Sequence, residues 1–323
     1  MSASDMQVFN EFFMPMISET VAQKTMLFNE ASQGAIVLQG IATIGDFSES
    51  SFYNLLSAAQ RRVNIYGTNN PVTPINLSQN KKVGVKVAGG FGPVNYEPIQ
   101  MNWLRKLTSE GVEVFSRQFA ELLVQDQVNT AIAALVAAIG NNANATRDVS
   151  GGASITQQVI NSSHRKFGDA SQMLVCEVMS GSMYHQLMDK ALLNATELFN
   201  AGNVTVMSIL GKSIVITDAP ALTLAGSPNK DRVLSLVSGA AMIKDPQDPI
   251  FVIHDVTGGE RIVTQLQADY SFEVEVLGYS WDTVNGGKSP SNAAIATGTN
   301  WDLNVASVKH TAGVLAIGDE AVI

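Results

Sequence analysis

EVFSRQFAELLVQDQVNTAIAALVAAI, residues 113–139, is the longest uninterrupted helix signal in the chain. It holds no Gly or Pro, is rich in Ala, Leu, Gln and Glu, and is closed by Gly140-Asn141-Asn142, a common helix stop. At about 1.5 Å per residue it spans roughly 40 Å. Its apolar side changes direction. Phe115, Phe119 and Leu122 share one face, while Val128, Ile132, Leu135, Val136 and Ile139 fall on nearly the opposite one. The two ends are therefore expected to pack against different partners. From Ala131 to Ile139 the helix is apolar all round, which in a folded domain requires burial on every side.

Outward from this helix, the N-terminal side holds two segments with little core of their own. Residues 5–30 carry Met6, Phe9, Phe12, Phe13, Met16, Ile17 and Val21 at helical or near-helical spacing, interrupted at Pro15. This amphipathic arm docks on its own domain or reaches another chain. AIVLQGIATIG (35–45) is a short apolar segment with two glycines. From Arg61 the pattern becomes extended: RRVNIYG, a polar turn-rich tract, then KKVGVKV, where Val83, Val85 and Val87 alternate with Gly84 and Lys86. A two-stranded arm of this kind is marginal alone and must lean on its own domain or a neighbour. Gly89, Gly90 and Gly92 are expected to end it. Arg61, Arg62, Lys81, Lys82 and Lys86 give it a basic edge, followed by Arg105 and Lys106. Such an edge either resists aggregation or meets an acidic partner, and an acidic chain offers a second copy of itself.

On the C-terminal side, NNANATRDVSGGAS (141–154) has linker composition. ITQQVINSSHRKF predicts a helix, MLVCEV a buried strand, SMYHQLMDKALLN a helix, VTVMSILGKSIVITDAP two strands joined at Gly211-Lys212, and RVLSLVSGAAMI one more strand. This alternation points to a mixed α/β layer bounded by Pro246 and Pro249. Beyond it lie FVIHDV, a Gly258-Gly259 turn, RIVTQLQ, and SFEVEVLGYSW, where Phe272, Val274 and Val276 alternate with Glu273 and Glu275 as in a half-exposed strand. A polar loop (282–300) precedes a final extended stretch. The Trp-Asp dipeptide occurs at 281 and 301, and two copies do not make a propeller repeat.

Composition narrows the function. In 323 residues, 46% are hydrophobic, enough for one large or two modest cores, but only 15% are charged. A surface so poor in charge is readily tolerated when neighbouring subunits cover much of it. The net charge of −9 argues against a dedicated nucleic-acid binder, which needs a basic face. Cys176 is the single cysteine, in an apolar run, so a disulfide or thiolate metal cluster within one chain is excluded. The N-terminus lacks the basic and apolar regions of a secretory signal, and no apolar run approaches 18 residues, so no membrane span is expected.

Catalytic motifs fail on inspection. GKS at 211–213 lacks the glycine five residues earlier that a phosphate loop requires, because position 206 is Val. Gly89, Gly90 and Gly92 lack the strand-to-helix setting of a dinucleotide fold. His164, His185, His254 and His310 show no metal-ligand spacing. His254 and Asp255, adjacent on a strand, point to opposite faces, and Ser180-Gly181-Ser182 lacks the glycines of a nucleophile elbow. No catalytic residue, cofactor or metal ligand is expected, and the chain reads as structural.

The order of parts is an N-terminal arm, an extended hairpin, a long helix, an α/β layer and a strand-rich return. It resembles the Hong Kong 97-type major capsid protein of tailed bacteriophages. MLVCEVMSGSMYHQLM (173–188), ILGKSIVITDAP (209–220), GYSWD (278–282) and KHTAGVLAIGD (309–319) are similar to recurrent strands and helices of that family. The resemblance implies an α+β fold divided into an N-arm (1–59), an extended E-loop (60–102), a peripheral domain with the spine helix (103–148), an axial α/β domain (149–248) and a return of peripheral strands (249–323).

It further implies capsomer hexamers and pentamers tiling an icosahedral shell around double-stranded DNA, which lies against the protein without specific contacts. A portal protein and separate scaffolding or decoration proteins are implied partners, and assembly takes place in the host cytoplasm. Contacts between subunits are expected from Phe9, Phe12, Phe13, Arg61, Arg62, Lys81, Lys82 and Lys86. Such shells expand during DNA packaging, with the spine helix and E-loop shifting. Some members carry a cleaved scaffolding segment before the N-arm, for which this sequence leaves no room. Some crosslink an E-loop Lys to a neighbour's Asn. Lys81 or Lys82 with Asn285 or Asn292 are the conceivable partners, and a single gel band near 34 kDa from boiled shells excludes the bond. An encapsulin-like compartment and a tail-tube or ring-forming protein are the alternatives, the latter having no need of a spine helix.

Overall fold

The computed structural model describes residues 19–320 except 42–43, 54–59, 70, 75, 77–78, 98, 100–107, 195–211 and 246–248. Two six-stranded sheets share one long helix. In chain order the strands are β1 (Ile36–Gln39), β2 (Phe47–Tyr53), β3 (Gln79–Tyr96), β4 (Thr146–Asp148), β5 (Leu174–Met179), β6 (Ser213–Ile216) and β7 (Thr223–Leu224). They continue as β8 (Lys230–Val237), β9 (Ala241–Lys244), β10 (Ile250–Val256), β11 (Val263–Val276), β12 (Tyr279–Trp281), β13 (Trp301–Leu303) and β14 (Gly313–Asp319). The helices are α1 (19–31), α2 (Thr108–Gly140), α3 (Gln157–His164), α4 (Gly181–Asn194) and α5 (Asn292–Ile295).

The first sheet runs β1-β9-β11-β3-β2, with β10 also on β11. β11 is its centre, antiparallel to β3 along nearly its whole length and to β10 and β9 on its other edge. The expected break at Gly89, Gly90 and Gly92 does not occur, and β3 continues to Tyr96. Gly92 marks a bulge instead. It sits opposite the register shift between Leu266 and Ala268, at φ +94°, where a Cβ would lie 2.6 Å from the Leu266 carbonyl oxygen. The second sheet runs β4-β14-β8-β5-β6, with β7 also on β8. RVLSLVSGAAMI is not one strand: a turn at 238–240 ends β8 in the second sheet and begins β9 in the first. β14, expected with the 249–323 strands, pairs with β8 and β4 in the second sheet.

The helix signal holds and is longer than anticipated. α2 starts at Thr108 and carries Gly111, whose cost of about 1 kcal/mol a long packed helix absorbs. By length and composition Arg117–Gly140 could cross a membrane, contrary to the sequence expectation, but it lies mostly buried within the protein as a core helix. Its two ends do meet different surroundings. Val128, Ile132, Leu135, Val136 and Ile139 join the main core, which brings together Val85, Ile243 and Val274 of the first sheet with Leu234, Leu236 and Leu315 of the second. Toward its start, Phe119, Ala120 and Leu123 pack on Val21 of α1 and on Leu266 and Ala268 of β11. Phe119 meets Phe91, Phe251 and Tyr270 edge to face, at centroid distances of 5.6, 4.8 and 6.3 Å. Leu122, assigned to this inner face, is 46% exposed; the inward position belongs to Leu123, one residue on.

The second sheet is covered on both faces. A third cluster lies beneath α3 and α4, formed by Ile155, Ile160, Met179, Met183, Leu187, Val233 and Ala316. Thr156 caps α3 by accepting from the Val159 amide. The tract 141–154 is not free linker: it contributes β4, and Asp319 accepts from the amides of Gly151 and Gly152 at 2.8 and 2.6 Å. Trp281 and Trp301, opposite each other on β12 and β13, meet edge to face at 5.0 Å. Each indole N–H is satisfied at 3.0 Å, by the carbonyls of Gly287 and Ile295.

Candidate inter-subunit surfaces

The extended arm has a different first strand from the one expected. RRVNIYG is not extended in a sheet; FSESSFY, residues 47–53, pairs antiparallel with β3, from Phe47 opposite Val85 to Tyr53 opposite Gln79. The alternation read from KKVGVKV does set the faces. Val83, Val85 and Val87 are buried toward the helix. The opposite face, expected to be solvated through Glu273 and Glu275, is a closed polar cluster in which those two residues are only 2% and 8% exposed.

Lys82 donates to Glu275 Oε2 at 2.8 Å, Lys244 pairs with Glu275 and, at 3.3 Å, with Glu273, and Ser48 donates to both carboxylates. Gly84 lies beneath them, where a Cβ would sit 2.5 Å from Glu275 Cγ and 2.7 Å from Glu273 Oε1. Burial raises the Glu275 carboxyl, but Lys244 and Lys82 outweigh it and bring it to about 2. The cluster therefore fastens the base of the arm to β9 and β11 with charge-assisted bonds.

The residues singled out in the sequence separate accordingly. Lys82 is engaged inside its own chain. Lys81 pairs with Glu49 at 2.8 Å on the surface, and Lys86 lies near Asp46. Arg61 and Arg62 are exposed in the connection between β2 and β3 and make no ion pair among the described residues. In the same connection Val63, Ile65, Tyr66 and Val72 are 65%, 83%, 96% and 54% exposed. Phe9, Phe12, Phe13, Arg105 and Lys106 lie outside the described residues. Helix α1, next along the chain from the N-terminal segment, docks on its own chain through Val21 and through Lys24, which pairs with Glu121 at 2.9 Å.

The rejected chemical motifs have structural roles. Lys212 donates to the carbonyls of Leu174 and Ser171 at 2.6 and 3.2 Å, and Ser180 accepts from the Met183 amide at the start of α4. Cys176 is buried, and burial pushes its thiol up to about 11. His254 is exposed, while Asp255 accepts from Thr264 at 2.6 Å. Sequence reading missed a buried group in the second sheet: His164 Nε2 lies 3.0 Å from Ser235 Oγ and 3.4 Å from the fully buried Glu177 carboxylate. All three are closed from solvent, so the arrangement offers no substrate access. Among the described residues no three His, Cys, Asp or Glu side chains are grouped to hold a metal ion.

The Gp13-like family model, described as major capsid protein 13-like, matches residues 5–315. No curated protein sequence matches significantly. Among solved structures, the chain is similar to a subunit of the cyanophage Pam1 capsid at 14% identity, with a TM-score of 0.54 over 88% of each chain. It is similar to the acid-stable capsid of Helicobacter pylori bacteriophage KHP30 at 10% identity, with a TM-score of 0.53 over 90% of this chain and 89% of that one. A structure from Mycobacterium phage Bobi matches at 13% identity and a TM-score of 0.53, over 91% of this chain and 90% of that one. At these identities the likeness is one of fold, the α+β Hong Kong 97-type capsid fold.

Proposed function

The chain belongs to the Gp13-like major capsid protein family and is a structural protein of the capsid shell, and from that premise we propose that it assembles through hexamers and pentamers into an icosahedral shell around double-stranded DNA. The first sheet with α2 is the peripheral domain, and the second sheet, including β14, is the axial domain at the capsomer centre. The observation that carries this reading is the arm. Its base is clamped by Lys82, Lys244, Glu273 and Glu275, whereas toward its far end, in residues 60–69 and 71–74, apolar side chains and two arginines are exposed, covered by none of the described residues of its own chain. A segment built in this way is stable in water only when another surface receives it.

Arg61, Arg62 and Lys81 are the arm's contacts with a neighbouring subunit, and Phe9, Phe12 and Phe13 are those of the N-terminal arm. The net charge of −9 suits a shell that encloses nucleic acid without gripping it. The chain carries no catalytic activity of its own. A portal protein occupies one vertex, scaffolding and decoration are supplied by separate proteins, and assembly takes place in the host cytoplasm. Sedimentation of the full chain expressed alone tests the proposal: particles of several megadaltons are expected, and a chain that sediments only as monomers or small rings contradicts it.

A further inference from the structure

The chain is acidic overall, with a net charge of −9, yet one part of the second sheet's surface is basic. Lys166, just past the end of α3, donates to the Ala143 carbonyl at 2.8 Å and so holds residues 143–147 against that helix end. The Arg147 guanidinium lies near its ammonium, and burial together with this second cation holds Lys166 below its ordinary value. Arg165 is exposed beside it, one turn beyond the exposed Asn161 on the same face. Lys309 reaches the patch from the other side, its stem beside Gly168 and its ammonium on Asp169.

Carboxylates do not balance these charges. Asp169 is taken by Lys309. Asp148 follows Arg147 on β4 but points to the opposite face, where it accepts from the Ser150 amide at 2.8 Å and lies near Lys230 and Arg232. Among the described residues Arg147, Arg165 and Lys166 form no ion pair. Like charges held close together repel until an anion joins them.

The surroundings of the patch select the anion. None of the large apolar side chains exposed among the described residues falls within 141–170 or 304–319, so the patch lacks the apolar centre of a contact between proteins. Around the cations stand the exposed amides of Asn141, Asn144 and Asn161, groups that join Arg and Lys on phosphate oxygens. We propose that Arg147, Arg165 and Lys166 face the interior of the shell and bind phosphates of the enclosed double-stranded DNA without regard to its sequence. So few cations per subunit make each contact weak and salt-sensitive, in keeping with a shell that is otherwise acidic. This rests on the shell reading and names the part of the subunit that touches DNA.

Arginine labelling of the full chain tests it. Phenylglyoxal is applied to unassembled chains, to DNA-filled particles, and to particles of the same preparation opened and emptied by nuclease, and modified peptides are measured by mass spectrometry. Arg147 and Arg165 should react in unassembled and emptied material and, relative to Arg261 of the first sheet, at least about fivefold more slowly in filled particles, where phosphates occupy them. Protection that persists after emptying puts a second copy on the patch and overturns the proposal. Equal reaction in filled and emptied particles, or none in unassembled chains, overturns it too. All three leave the shell reading standing, whereas an unsubstituted chain that forms no particles overturns both. Where opening destroys the particles, ultraviolet crosslinking of filled ones decides: nucleotide adducts should fall on peptides holding residues 141–147 and 161–166, and adducts confined to other peptides contradict the proposal.

Discussion

A methyl group at position 84 would meet Glu275 and Glu273 at under 3 Å on one side of β3. Gly84→Ala should therefore force the carboxylates away from Lys82 and Lys244 and destabilise the unassembled protein by about 1–3 kcal/mol, read as a lowered denaturation midpoint. The same cluster sets an acid limit. Glu275 has an ordinary value of 4.5 and lies at about 2 in the folded chain, so its stabilisation is complete above about pH 5 and is lost as pH falls from 4.5 toward 2. On the order of 3 kcal/mol is at stake. Unfolding curves should show this loss in the unsubstituted chain and not in Glu275→Gln, which is already destabilised at neutral pH.

The sequence showed the alternation of Phe272, Val274 and Val276 with Glu273 and Glu275, and left the glutamates in solvent. What buries them comes from Ser48, Lys82 and Lys244, far along the chain, and no local pattern announces that three separate strands converge there. Gly84 was the visible trace, a glycine set between Val83 and Val85 in the alternating part of β3.

At the scale of elements, α2 was legible because a run without Gly or Pro, closed by Gly-Asn-Asn, has few alternatives to a helix. Its change of face was legible too, but which residue points inward near the start was not. Leu122 and Leu123 are equally apolar, and the choice is made by the position of the Phe91, Phe251 and Tyr270 rings around Phe119. Two substitutions separate these roles. Phe119→Ala should cost about 3–5 kcal/mol in the unassembled chain, because three aromatic contacts and a packed site are lost. Leu122→Ala, at a half-exposed position, should change monomer stability by less than about 0.5 kcal/mol, which chemical denaturation measures.

The arm was read with the wrong first strand for a related reason. RRVNIYG has the higher strand propensity, yet FSESSFY sets Ser48 opposite Gly84 and so completes the polar cluster. Tertiary contact overrode local preference.

At the scale of the whole molecule, the crossing from β8 to β9 and the return of β14 to the second sheet tie the two layers into one core, with α2 between them. A short turn at 238–240 hides the first crossing in what looks like a single apolar run. The return of β14 depends on pairing with β8, which lies well back in the chain and cannot be seen in sequence. The low charge and the two coreless arms did point to assembly, since such surfaces call for partners. Cryo-electron microscopy of particles formed by the full chain tests the central claim most directly. Closed icosahedral shells of six-fold and five-fold capsomers are expected, with the second sheet at their centres and residues 60–74 of each subunit lying on a neighbour. Open tubes, isolated rings, or shells in which that segment folds back on its own subunit would contradict it.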